Sequence, residues 1–403
     1  MSTTAPWTTS GTGTTYLAVP EPLPAKQERL TALDVFRGLT IAGMLLVNNP
    51  GSWGAIYPPL RHAAWHGWTP TDLIFPFFLF IVGITTHLSL AARRARGDDN
   101  TKLMRQVLRR GGIIILLGLF LSGFPFIPKY GFDISTMRVP GVLQRIGVAY
   151  IIAALLTMRT RPRMQWIIVA ALLLGYWALM TLIPVPGTGV VGTVALATPD
   201  ASLAAWLDRA ILGDHLWRVS KTWDPEGILS TLPAIVTVML GIFAGRWIAS
   251  PRALVQRIAA LFAVGSIGMV VGLIWNWWFP MNKNLWTSSY VVFTAGMACV
   301  TIATCLWLID VQRITRWTKP FVVYGMNPII AFVGSGMMAR LMGSIIKVEQ
   351  DGQTASLQKA IYDSAFASWL APMNASLLYA LCFVGLWFLI LWVLYKKRVF
   401  LKV

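Results

Sequence analysis

The sequence is poor in charged residues, which make up only 12% of its 403 positions. Soluble domains carry about twice that share, so this scarcity excludes an ordinary soluble domain. Cysteine is scarce as well: Cys299, Cys305 and Cys382 all fall in apolar segments and have no ligand-like spacing. An odd number of cysteines in such segments argues against a disulfide framework and against a cysteine-based zinc site.

Apolar residues are abundant instead, with 56% hydrophobic positions and a mean hydropathy of +0.62. Windows of the length needed to cross a hydrocarbon core of about 30 Å recur along the chain. We therefore predict an all-α, polytopic membrane protein with about ten transmembrane helices. We place them near residues 30–49, 70–91, 108–124, 140–158, 164–184, 227–248, 255–279, 286–309, 320–340 and 375–395.

The N-terminal stretch, residues 1–29, is rich in Ser, Thr, Pro and Gly and has no apolar core of a signal peptide. We predict that it is a disordered cytoplasmic tail. Residues 30–403 are predicted to form one transmembrane domain. Its longest polar connections are the outer segments 185–226 and 341–374, the first with room for a short amphipathic helix.

Basic residues are distributed unevenly between the two predicted sides of the membrane. With the N-terminus inside, 22 of the 34 Lys and Arg residues lie on the inner side, 10 lie on the outer side and 2 lie within helices. This bias predicts that both termini are cytoplasmic. The net charge of +18 then reflects basic residues that set the topology and contact anionic membrane lipids. We predict no nucleic-acid partner.

Ionisable side chains within the predicted helices are candidates for function, because burying them in a membrane is costly. They are Asp34, Arg37 and Arg145. In the first helix, Arg37 and Asn48 are eleven residues and about 20° apart, and Asp34 lies within roughly 60° of Arg37, which predicts a polar seam along one face. The alternative for Asp34 and Arg37 is an intrahelical i,i+3 ion pair.

Polar residues are also predicted to converge on the outer face. The set comprises Asn48, His62, His66, Asp72, Arg145, Asp224, Glu226, Lys283 and Asn284. For the acids, helix capping is an alternative of equal weight to a catalytic role. The stretch "TPTD" places Asp72 in a capping box, and "DPEG" makes Asp224 a cap with Glu226 near the positive end of the helix dipole. The segment "PPLRHAAWHGW" around His62 and His66 is broken by proline and glycine and offers no cysteine, so we predict no metal site there.

Six motifs, in order, carry a resemblance to a known family. They are "LDVFRGLTIAGMLLVNNPG", "LRHAAWHGWTPTDLIFPFFLFIVG", "RVPGVLQRIGVAY", "WDPEGILSTLPAIVTVMLG", "NKNLWTSSYV" and "YGMNPII". Together they span residues 30 to about 330 and resemble the heparan-α-glucosaminide N-acetyltransferase family, in a bacterial-type form without the lumenal domain of larger relatives. The resemblance implies a transmembrane acyltransferase domain that moves an acetyl group from cytosolic acetyl-CoA to the amine of a glucosamine-type amino sugar outside.

The resemblance also assigns residues. The family's catalytic histidine falls on His62, and its asparagine falls on Asn48, with Asn49 as a rival. The chemistry adds Asp72 to orient His62 and stabilise its imidazolium, while Asn48 stabilises the oxyanion. Candidate donor-binding residues are Arg37, Asp34, Arg145, Gln144 and Asn327, and candidate acceptor-binding residues are Asp224, Glu226, Lys283, Asn284 and Trp65.

Several alternatives stay open at this level. Direct transfer to the amine and an acetyl-histidine intermediate both fit the residues. A transporter for an amino sugar such as N-acetylglucosamine would use a polar seam too, although we find no inverted repeat. A lipid-facing scaffold protein would explain the helices but not the buried charges. A bacterial inner-membrane location is expected, a homodimer is one option, and the sequence leaves the oligomeric state open.

Overall fold

The computed structural model describes residues 30–350 and 352–401. The predicted tail at residues 1–29 lies outside the described residues. Among the described residues, ten helical stretches are long and apolar enough to cross a membrane. This confirms the all-α, polytopic membrane fold predicted from hydropathy.

The described residues form a series of helices, most of them long. The first half contains α1 (Thr31–Asn48), α2 (Ile74–Arg94, entered through a 3₁₀ turn at Pro70–Leu73), α3 (Asn100–Gly123), α4 (Val142–Arg159), α5 (Pro162–Leu182) and the short α6 (Leu203–Leu212). The second half contains α7 (Thr231–Ile248), α8 (Leu254–Trp275), α9 (Ser288–Leu306, extended by a π turn at Trp307–Val311), α10 (Thr318–Met326), α11 (Pro328–Arg340, extended by a π turn at Leu341–Ile345), α12 (Leu357–Tyr362) and α13 (Pro372–Lys396).

The bundle has two ends, which we name after residues of α1 and of the loop that follows it. At the His62 end, α1 finishes and α2 begins. At the Arg37 end, α1 begins and its Arg37 contacts α10 through the carbonyl of Gly325 at 3.0 Å. Helix starts follow ordinary rules: Asp99 caps α3 by accepting from the Lys102 amide, and proline occupies the first turn of α5, α11 and α13.

The predicted ninth span, residues 320–340, is interrupted, and the prediction of one continuous helix there was wrong: the helix long enough to cross a membrane is Pro328–Ile345. Helix α10 ends at Met326, Asn327 has φ −130° and ψ 55°, and α11 begins at Pro328. The residue before a proline is disfavoured in helical conformation, which explains the position of the break. Asn327 is buried, its amide nitrogen donates to the Val399 carbonyl at 3.0 Å, and its oxygen accepts from the Leu401 amide at 3.1 Å. The break is therefore fastened to the chain segment after α13.

The polar segment 341–374 contains a two-stranded antiparallel hairpin that hydropathy did not predict. Strand β1 (Lys347–Gln350) pairs with β2 (Gln353–Ser356), with Lys347 opposite Ser356 and Gln350 opposite Gln353. The hairpin connects α11 to α12 at the His62 end.

Helices α2 and α7 cross so closely that only glycine fits at the contact. A Cβ atom on Gly83 would lie 2.1 Å from the Val238 carbonyl oxygen, and one on Gly241 would lie 2.1 Å from that of Phe80. Small residues allow such backbone approach between membrane helices, where dispersion contacts replace the hydrophobic driving force. The crossing holds the start of α7 next to the start of α2, which is where the polar residues gather.

Candidate functional site

His62 lies in the loop between α1 and α2 and is held by Asp72. Its Nδ1 atom is 2.7 Å from Oδ1 of Asp72, and the Asp72 residue is only 1% exposed. A carboxylate only accepts hydrogen bonds, so the neutral imidazole carries its proton on Nδ1 and keeps a lone pair on Nε2. The pair is thus arranged to present Nε2 as a base.

Asp72 also caps the turn that leads into α2. Its Oδ2 atom accepts from the backbone amides of Thr69 and Ala63, each at 3.0 Å. Helix capping and histidine orientation were alternatives in the sequence, and the structure contains both contacts, one on each carboxylate oxygen. The hydroxyl of Tyr290 on α9 donates to the Asp72 carbonyl, which fixes the turn against the core.

Lys283, in the turn before α9, approaches the same histidine. Its Nζ atom lies 3.2 Å from Nδ1 and 3.3 Å from Nε2 of His62, and 3.9 Å from Oδ1 of Asp72. Burial lowers the pKa of Lys283, against the opposing attraction of Asp72 and Glu226. Asn284, its neighbour in this turn, is half-buried.

A cavity of about 680 Å³, including the solvent at its mouth, extends from His62 into the bundle. Its polar lining comprises Asn48, His62, Glu226 and Lys283 together with Thr71. Apolar side chains of α1, α2, α4 and α11 form the remaining wall, among them Ile41, Phe78, Ile146 and Phe332. The cavity therefore consists of a polar chamber at the His62 end and an apolar part between these helices.

The two candidate asparagines at the end of α1 differ in environment. Asn48 is exposed and lines the cavity. Asn49 is buried and its side-chain nitrogen donates to the Leu45 carbonyl at 2.8 Å. The geometry favours Asn48 over its rival as the residue that faces a ligand.

Arg37 shares a helix face with the cavity wall. Ile41, Met44 and Asn48 line the cavity, and the spacing 37, 41, 44 and 48 keeps these positions on one side of a helix. The i,i+3 ion pair considered from sequence is present, with Arg37 Nη1 3.4 Å from Asp34 Oδ1. The same stripe thus runs from an ion pair at the Arg37 end to Asn48 at the His62 end.

An arginine that the sequence analysis did not select binds both predicted acids. Arg138 Nε donates to Asp224 Oδ2 at 2.8 Å, and its Nη2 contacts both Asp224 and Glu226. Burial acts to raise the pKa of Glu226, yet the charges of Arg138, Arg145 and Lys283 bring it below its ordinary value. The sequence contained a signal for Arg138, because this residue begins the motif "RVPGVLQRIGVAY" quoted above.

Capping of the following helix by Asp224, one of the two alternatives left open by the sequence, is not observed, because the residue before that helix is Ser230. Helix α7 begins at Thr231, later than the predicted residue 227, because i→i+3 hydrogen bonds from Thr231 and Leu232 form a tighter turn before it. Asp224 instead accepts from the Glu226 amide at 2.9 Å within its own turn.

The donor-binding candidates other than Arg37 and Asp34 are not brought together. Arg145 is buried at the His62 end, where its Nη2 donates to the Gly227 carbonyl at 3.2 Å and to the Ser230 hydroxyl. Gln144 Nε2 is 3.4 Å from the Ser122 hydroxyl on α3, and Asn327 binds the C-terminal segment as described above.

Trp65 and His66 belong to an aromatic group beside the chamber. Trp65 Nε1 donates to the Leu196 carbonyl at 2.8 Å, and its ring centroid is 5.5 Å from that of Trp223. The His66 ring lies 6.0 Å from Trp65, and burial lowers the pKa of His66. These contacts connect segment 185–226 to the loop that carries His62.

The chain is similar to known proteins over most of its length. The profile described as "Heparan-alpha-glucosaminide N-acetyltransferase, catalytic" matches residues 29–274. The mouse heparan-alpha-glucosaminide N-acetyltransferase is 29% identical over 95% of this chain and 62% of its own length. The human protein of the same name is 29% identical over 94% of this chain and 61% of its own length. The chain spans about three fifths of these curated relatives, and it belongs to the family defined by the heparan-alpha-glucosaminide N-acetyltransferase catalytic domain.

Proposed function

We propose that the protein is an N-acetyltransferase that moves an acetyl group from acetyl-CoA to the amine of a glucosamine-type amino sugar. The observation that carries the proposal is the His62–Asp72 pair at the polar end of a cavity that continues into the bundle. Membership of the family supports the reaction class. The cavity supports a donor that reaches the histidine from within the membrane.

The proton on the amine sets the first requirement of this reaction. An amino sugar near neutral pH is largely an ammonium ion, which has no lone pair to attack a thioester. His62 Nε2 takes that proton, and Asp72 stabilises the imidazolium through Nδ1–H. The free amine then forms a bond to the thioester carbonyl carbon and the C–S bond breaks. The nitrogen loses its second proton as the amide forms, the CoA thiolate takes up that proton, and His62 releases the first proton to solvent.

Charge on the carbonyl oxygen is the second requirement. Asn48 and Lys283 both line the cavity. We assign to them the stabilisation of the negative charge that develops on that oxygen. An acetyl-His62 intermediate would use the same lone pair as nucleophile, so the geometry serves both routes.

The donor arm is proposed to lie along the apolar wall. From Arg37 to Asn48 the helix rises by roughly 16 Å, about half of the hydrocarbon thickness. The pantetheine chain would cover this distance, with the CoA phosphates near Arg37 and the acetyl group at His62. Within this proposal the Arg37 end faces the cytoplasm and the His62 end faces outside, in accordance with the charge bias of the sequence.

An acceptor screen on the purified full chain in detergent tests the reaction. We expect free CoA thiol to appear only when acetyl-CoA and an amino sugar are both present, with acetyl recovered on the sugar nitrogen. N-acetylglucosamine, whose amine is already blocked, is the matched control. Accumulation of labelled sugar in vesicles without acetyl-CoA, and no thiol release, would favour the transporter instead.

Arg37→Ala should raise the Michaelis constant for acetyl-CoA by about tenfold and change turnover at saturating donor little. A phosphate contact far from the reacting carbon contributes mainly uniform binding, which affects KM more than kcat. Lys102→Ala, which removes an exposed cation from the first turn of α3, is the control. An unchanged constant in folded Arg37→Ala protein removes Arg37 from the donor site.

A further inference from the structure

A second cavity at the His62 end is lined by three arginines and by no acidic residue. Its volume is about 990 Å³, including the solvent at its mouth. Arg138, Arg218 and Arg340 come from three separate parts of the chain: the loop before α4, segment 185–226 and the last turn of α11. Tyr130 and the hydroxyls of Ser122 and Ser344 line the same space.

Each of these arginines keeps donors that no described residue uses. Arg340 Nη1 is buried without a hydrogen-bond partner. Arg218 is exposed and makes no hydrogen bond or ion pair with the described residues. Arg138, which lines the cavity, uses Nε and Nη2 for Asp224 and Glu226, and its Nη1 has no hydrogen bond to the described residues.

Among the described residues, the nearby acids form ion pairs with Arg138 but with neither Arg218 nor Arg340. Asp224 and Glu226 lie on the other side of Arg138 and are bound by it. Asp133 near Arg218 accepts from the amide and hydroxyl of Ser135. Guanidinium groups gathered in a half-buried space repel one another at low effective dielectric unless an anion lies between them. Their planar donors match the oxygens of phosphate and carboxylate.

We infer that this cavity, which we call the arginine pocket, is a binding site for an oxyanion group, a phosphate or a carboxylate. It adjoins the His62 cavity through Arg138, whose partner Glu226 lines that cavity. Two molecules carry such a group to this place: a soluble anion such as an acidic acceptor, and a phospholipid headgroup. The second is relevant because exposed Phe120 and Phe126 lie where α3 reaches the pocket. The site goes beyond acetyl transfer and does not depend on it.

Binding of inorganic phosphate to the purified full chain in neutral detergent tests the pocket, with chloride at equal ionic strength as the reference. We expect wild-type protein to bind phosphate in preference to chloride, and Arg218→Gln to weaken binding about tenfold or more, as loss of a charge-assisted contact implies. Lys129→Gln, the same charge change at an exposed position in the neighbouring turn, should bind like wild type. Arg340→Lys keeps the charge but loses the planar donors, and should be weakened too.

A second arm identifies the source of the anion. The same proteins are placed in phosphatidylcholine nanodiscs with or without phosphatidylglycerol. If a lipid headgroup occupies the pocket, phosphatidylglycerol abolishes the preferential binding of inorganic phosphate. More phosphatidylglycerol then remains bound to the wild-type protein than to Arg218→Gln. If a soluble anion occupies it, phosphate is bound in preference to chloride with and without phosphatidylglycerol. Equal binding of phosphate and chloride by the wild-type protein would overturn the proposed anion site. Equal phosphate binding by Arg218→Gln and Lys129→Gln would overturn it as well.

Discussion

His62→Ala should lower acetyl transfer by about 10³-fold or more while acetyl-CoA still binds with nearly wild-type affinity. General acid–base catalysis is worth about 10²–10⁴-fold, and loss of a nucleophile would cost at least as much. Donor affinity should survive because the proposed phosphate contact at Arg37 is at the opposite end of α1. Initial rates give the loss of acetyl transfer, and a direct binding measurement with acetyl-CoA on the same preparation gives the donor affinity.

His66→Ala is the matched control for this experiment. It removes an imidazole four residues away, from the aromatic group with Trp65, and should cost much less activity. If both variants lose activity equally and the wild-type protein contains stoichiometric metal, the two histidines act as ligands and the base assignment is wrong.

Sealed vesicles of native orientation should acetylate an impermeant amino sugar added outside only when acetyl-CoA is supplied inside. The expected effect is close to all or none, because the proposal places the two substrates on opposite sides of the membrane. Labelled acetyl-CoA trapped in the lumen, with the product collected from the external medium, measures it. Detergent-opened vesicles are the control, since they should form product from either arrangement.

Product formed equally well with both substrates on one side of an intact membrane would contradict this proposal. Either the orientation or the cross-membrane route would then be at fault, and one further variant distinguishes them. Ala64→Cys places a thiol at an exposed position beside His62, in a background where the exposed Cys382 is replaced by alanine. Labelling of this thiol by an impermeant reagent identifies the side on which His62 lies.

The spans of this protein were predictable because hydropathy over about twenty residues outweighs local detail. The ninth span illustrates the limit: the average over 320–340 is apolar, and the break depends on the Asn327–Pro328 pair and on a partner near residue 400. Likewise, the capping box at Asp72 is local and readable. The contact of the same carboxylate with His62, ten residues earlier, depends on how the loop folds back.

Arg138 shows why the site was only partly predictable. Its partner Asp224 is 86 positions away in sequence, and each residue alone fits an ordinary solvated loop. Nothing in the local pattern indicates that a loop arginine before α4 will meet an acidic turn before α7. Pairings between distant loops depend on helix packing, which single-sequence reasoning does not provide. Arg145 was marked correctly as a buried charge, but the buried carbonyl and hydroxyl that accept from it could not be identified.

The anchoring of Asn327 has a consequence for how the chain is made. Ribosomes deliver residues in order, and the groups that satisfy the buried Asn327 side chain belong to Val399 and Leu401. Until α13 has been inserted and these residues have emerged, the amide at the α10–α11 junction has neither partner in place. The α10–α11 junction can therefore reach its final arrangement only after α13 has been made, and termination before residue 399 would leave the buried Asn327 side chain without these two partners.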